Sequence, residues 1–142
     1  METHLSDISR VIQLAVAPVF LLTAIATMIN AMNTRLVRIV DRRRVIEDRL
    51  REGKKRPESE EELRALMRRS HLAYRGILFA VLAALLVCLV VAGAFIGALI
   101  AVDLSKAVAV TFVLAMSSMI ISLGMFLREV YLGVSSWGNL SR

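Results

Sequence analysis

The sequence predicts an all-α, integral membrane protein with three transmembrane helices, and three observations support that class. Of its 142 residues 57% are hydrophobic, and the mean hydropathy of +0.66 is above that of ordinary soluble folds of this length. Three runs, 11–32, 77–102 and 107–127, are apolar over the roughly 20 residues that a helix needs to cross a bilayer. Basic residues are concentrated: 14 of the 18 Lys and Arg lie between Asn33 and Gly76. By the positive-inside rule that segment is cytoplasmic, which puts the N-terminus and the Asp103–Lys106 loop outside and the C-terminus in the cytoplasm. The chain, 1–142, reads as a single membrane domain.

The first run follows the leader METHLSDISR, which carries one Arg against two acidic residues. Its length, and the lack of a small-residue cleavage site before a polar start, favour a retained helix over a signal peptide. Pro18 lies in its outer half and frees a carbonyl, either as a tolerated proline or as a hinge. Beyond Met32 the pattern stays helical, with Leu36, Ile39, Arg43, Ile46 and Leu50 at three-four spacing, and Gly53 suits a C-terminal cap. EGKKRPES is a turn, after which Ser59 and Glu62 have capping-box spacing. Leu63, Leu66, Met67, Ser70, Ala73 and Tyr74 share one side of the helix that follows and runs into the second span. Residues 33–76 therefore form a cytosolic antiparallel helical hairpin, built from extensions of helices 1 and 2.

The second span carries Gly93 and Gly97 in a GxxxG pair, which packs either on neighbours in the same chain or on another subunit. Cys88, the one cysteine, is expected as a small buried hydrophobe. A tight outer turn follows, capped by Asp103 or Ser105. The third span adds Ser117, Ser118, Ser122 and Gly124 as small, weakly polar positions. The tail 128–142 is expected at the inner interface, with Tyr131 and Trp137 in the aromatic belt.

Enzyme chemistry is not expected. His4 and His71 are far apart in topology, and no phosphate loop, HExxH, nucleophile elbow or ligand cluster for a metal or other cofactor occurs. His71 reads as exposed or capping. The net charge of +6 equals that of segment 33–76, so it follows from topology and does not argue for nucleic acid as a partner.

The remaining signal is a polar stripe on the first helix. At 100° per residue Thr23, Thr27, Asn30, Thr34, Arg38 and Asp41 fall within roughly 80° of one another, and Asp48 returns to the same line. One reading has the threonines bond to their own helix and Asn30 make a contact inside the subunit. The other has first helices from several copies form a homo-oligomeric ring around a channel or passive ion pathway lined by these residues. Arg35, Arg42, Arg43 and Arg44 are candidate anchors to anionic lipid, at about 1 kcal/mol each. Intrahelical or intersubunit pairing is also available to the arginines, with Asp41 three residues from Arg38 and Arg44 and Glu47 three from Arg44 and four from Arg43, and Arg128 with Glu129 is a further candidate partner for them. A function of a different class is a non-conducting scaffold or regulatory subunit that binds lipid or a cytosolic partner through the basic hairpin.

IQLAVAPVFLLTAI (Ile12–Ile25) and NAMNTRLVRIVDRRR (Asn30–Arg44), the latter with the core TRLxRIVDRxR, resemble a widespread family of small bacterial inner-membrane proteins known as a domain of unknown function. The resemblance covers nearly the whole chain. It implies a bacterial inner-membrane location and brings no activity, substrate or catalytic residues.

Overall fold

The computed structural model describes residues 2–53 and 57–138, without the side chains of 2–8, 11 and 136–138. The described residues form three helices: α1 (Glu2–Arg51), α2 (Pro57–Ile100) and α3 (Ser105–Gly138). Each contains a stretch long and apolar enough to cross a membrane, with mean hydropathy 2.2, 3.0 and 2.1 in chain order. Residues 128–138, expected as an interfacial tail, continue α3 without a break. No proline interrupts them, and Gly133 sits where a guanidinium needs room.

Burial recurs every seven residues along each helix. Ile25, Met32, Ile39 and Ile46 are buried on α1, Leu66, Ala73, Ala80 and Val87 on α2, and Ala115, Ser122 and Glu129 on α3. Seven residues make two turns at 3.5 per turn, the period of knobs-into-holes packing between neighbouring helices. The expected α1 face agrees with this register. On α2, Leu66 and Ala73 are buried, whereas Met67 and Tyr74, one position further round, are exposed.

Two compact units make up the chain: Met1–Met28 with Ala80–Ile120, and Ile29–Phe79 with Ile121–Arg142. In the first, small residues set the spacing. A methyl at Gly97 would lie 3.2 Å from the Val102 carbonyl oxygen, and one at Gly93 would lie 3.3 Å from Val108 Cγ2. The GxxxG pair thus packs on its own chain. Cys88, expected to be buried, is exposed, because it follows Val87 of the seam by one residue and 100° of helix turn. Large apolar side chains such as Phe20, Leu99 and Val113 are exposed throughout this unit, as in a helix bundle solvated by lipid.

In the second unit Ile39 and Ile46 pack with Leu66, and Leu50 and Leu63 lie against them. Removing such side chains from water stabilises by about 1.5–3 kcal/mol apiece. Arg42 Nε donates to Glu62 Oε1 at 2.8 Å beside this cluster, and Arg43 Nε donates to Glu47 Oε1 at 2.7 Å one turn on. Ser122 Oγ donates to the Gly76 carbonyl at 2.7 Å, a buried cross-helix bond. Gly76 permits that approach, since a methyl there would collide with the end of Met32.

Candidate functional site

Two arrangements stand out, one outward-facing and one buried. The polar stripe of α1 is the first. Thr23, Thr27, Asn30, Thr34, Arg38 and Asp41 are all exposed in the single chain. The stripe lies roughly 160° around the helix from the seam of Ile25, Met32 and Ile39, at 100° per residue. Thr23, Thr27 and Thr34 each donate a hydroxyl hydrogen bond to the carbonyl four residues back, at 3.1, 2.9 and 2.9 Å. These hydroxyls are satisfied locally. Asn30 is exposed on the side of α1 away from this seam, and its side chain has no hydrogen bond among the described residues. Arg38 and Asp41 likewise carry no ion pair among the described residues.

The second arrangement lies within the second unit, and each helix supplies a charged residue. Glu129 of α3 is 1% exposed and sits on the seven-residue seam after Ser122. Arg69 of α2 donates to its Oε1 through Nη2 at 2.9 Å and Nε at 3.3 Å. Arg35 of α1 brings Nε to 3.1 Å from Oε2. That contact is a charge pairing without hydrogen-bond alignment, because Oε2 has no hydrogen-bond partner. Arg35 also lies over the Phe126 ring, 5.5 Å from its centroid, one turn before Glu129. A carboxylate this buried is held by charge-assisted contacts, and Arg69 makes the better aligned ones.

Gly133 completes the cluster one turn beyond Glu129. A methyl there would stand 2.8 Å from Arg69 Nη2 and 3.8 Å from Arg35 Nη2. Arg35, Arg69 and Gly133, together with Val130 and Val134, line an open cleft of about 390 Å³.

Of the residues expected at the lipid surface, Arg35 is engaged by Glu129 and Phe126, Arg42 by Glu62 and Arg43 by Glu47. Arg44 and Tyr131 are exposed, and the Trp137 side chain lies outside the described residues. Glu129, expected with Arg128 as a candidate partner for the first-helix arginines, takes Arg35 of α1 and also Arg69 of α2. His71 is exposed, and the His4 side chain lies outside the described residues. Among the described residues no three His, Cys, Asp or Glu side chains are grouped so as to hold a metal ion.

Three long apolar helices, with the buried Ser122 tied to the backbone of a neighbouring helix and the buried Glu129 to arginines, define a multi-pass, all-helical membrane protein. Within that class the chain belongs to the family described as Protein of unknown function (DUF2721), whose model matches residues 15–138. The resemblance read from Thr34–Arg44 is thereby borne out, and the match extends over Glu129 and Gly133. No curated protein and no solved structure matches the chain.

Proposed function

We propose that this protein is a homo-oligomeric channel, or other passive ion pathway, in the bacterial inner membrane, lined by α1 and involving no catalysis. The observation that carries the reading is Asn30. Its amide lies two residues before the end of the first apolar run and points away from the rest of its own chain. An unpaired amide in hydrocarbon costs several kcal/mol, so polar groups in a span usually face protein or water. A ring of α1 helices around an aqueous axis would supply both, with Thr23, Thr27 and Thr34 along the same line and Arg38 and Asp41 at the mouth. The N-terminus lies outside and the C-terminus in the cytoplasm in this reading. The ends of α1 and α2 form an antiparallel hairpin in the cytosol, which the Arg42–Glu62 pair and the Ile39, Ile46 and Leu66 cluster support.

Flux through liposomes holding the purified protein tests this. Asn30→Leu and Thr27→Leu should each lower ion flux several-fold while the mass in detergent stays that of an oligomer. A stable monomer in detergent overturns the ring and the pathway together.

The alternative, a non-conducting scaffold or regulatory subunit that binds anionic lipid or a cytosolic partner, has its own support. Arg38, Arg44, Arg64, Arg68 and Arg75 are exposed and carry no ion pair among the described residues. Silence in the flux assay across pH, voltage and divalent ions favours that reading.

A further inference from the structure

Arg35 and Arg69 place two guanidiniums around the single carboxylate of Glu129, so the cluster keeps one positive charge in excess. Arg69 spends Nε and Nη2 on one oxygen, and Arg35 offers Nε to the other without aligning a hydrogen bond. A guanidinium has five N–H donors, so most of those on Arg35 are uncommitted among the described residues. Both Nη2 atoms lie within 4 Å of the point where a Gly133 methyl would be. Two η nitrogens from different helices therefore converge beside the Gly133 backbone, and both arginines and Gly133 line the cleft walled by Val130 and Val134.

Convergent guanidinium donors suit the tetrahedral oxygens of a phosphate group, which arginine engages through parallel hydrogen bonds. Glu129 opposes an anion, but it is buried behind the guanidiniums and does not line the cleft. The depth is also suitable. Arg35 lies three residues past Met32 and Gly133 six past Leu127, the ends of their apolar runs, or roughly 5 to 9 Å at 1.5 Å per residue. That is the headgroup layer of a bilayer. The two valines would meet the first apolar atoms of a bound lipid. We infer that the cleft between Arg35, Arg69 and Gly133 binds one phosphate group per chain, carried by a phospholipid headgroup or free in solution. This inference is independent of whether the protein conducts.

Native mass spectrometry of the full-length protein in detergent, titrated with phosphatidylglycerol or with phosphatidylcholine, tests the lipid source. Thermal melts with and without millimolar inorganic phosphate test the free anion. The wild type should retain one phospholipid per chain, or its melting temperature should rise with phosphate; the first outcome assigns the site to lipid and the second to the free ion. Gly133→Ala, which places a methyl at the convergence point, should weaken the effect at least tenfold. Where Gly133→Ala fails to fold by circular dichroism and size exclusion, Arg35→Lys takes its place, keeping the charge and removing the fork. Arg10→Gln, an exposed arginine outside the basic hairpin and away from the cleft, should leave binding unchanged. Neither ligand binding, or equal loss in Arg10→Gln, overturns the proposal, because binding would then be absent or a diffuse effect of net charge.

Discussion

Glu129 concentrates more of the second unit's polar contacts than any of the residues singled out for a pathway. Replacing it by Gln keeps the shape and removes the charge, leaving Arg35 and Arg69 facing each other over Gly133. Breaking a fully buried pair costs about 3–5 kcal/mol. Here the arginine side chains are 36% and 20% exposed, so water takes part of that charge and a loss of about 2 kcal/mol is expected. The helical melting midpoint should fall accordingly, and further for Arg69→Gln than for Arg35→Gln, since Arg69 makes the aligned hydrogen bonds. The cluster was only half readable in the sequence. An acid at the inner end of the third span was visible as a partner for the first-helix arginines, as it is for Arg35, but nothing marked it as buried or singled out Arg69. Following the apolar register instead, from Ala115 to Ser122 to Glu129, would have turned it inward. Arg35 and Arg69 needed tertiary structure, because nothing local separates them from the other arginines on their helices.

The helix ends carry the clearest link from residue type to backbone geometry. Gly53 closes α1 with φ +81°, and nothing lies within 4 Å of where a side chain would stand. Gly53→Ala should therefore cost about 1 kcal/mol through backbone strain alone, seen as a lower melting midpoint without change of helix content. Ala101 ends α2 at φ +53°, where Val102 N donates to the Gly97 carbonyl at 3.1 Å. This is a Schellman closure filled by alanine where glycine is usual, and Ala101→Gly should raise the midpoint by a similar amount. Asp103 then starts α3 by accepting from Ser105 Oγ and N. The hydroxyl bond first and the amide bond second hold its carboxyl below the ordinary 3.8. A lowered folded value means that the contribution to stability is present above 3.8 and is lost as pH falls through that lower value. Carbon-13 titration should place the Asp103 midpoint below 3.8, and in Ser105→Ala it should move back up. Such caps were readable because they depend on a few adjacent residues. The length of α3 was not: residues 128–142 read as a tail separate from the third span, and the guanidinium packed on Gly133 accounts for a glycine inside the helix.

Considered entire, the molecule rests on one asymmetry: segment 33–76 holds most of the basic residues, and the turn between α2 and α3 with the first turn of α3 holds only Asp103 and Lys106 as charged residues. That asymmetry predicts the orientation independently of any function, through the cost of moving charge across the bilayer. Cys88 makes the prediction easy to measure. It is the one cysteine of the chain and lies twelve residues inside the α2 end at Ile100, where a charged maleimide does not reach. Added at exposed positions, Lys106→Cys should label from the outside of intact cells. Glu60→Cys should label only after the membrane is opened, with Cys88 unlabelled until the protein is denatured. Labelling of Glu60→Cys in intact cells would reverse the topology. The proposed mouth at Arg38 and Asp41 and the proposed phosphate cleft at Arg35 and Arg69 would then both face outward, where cytoplasmic partners and inner-leaflet lipids have no access. The same two cysteines would thus decide which set of ligands the basic segment can meet.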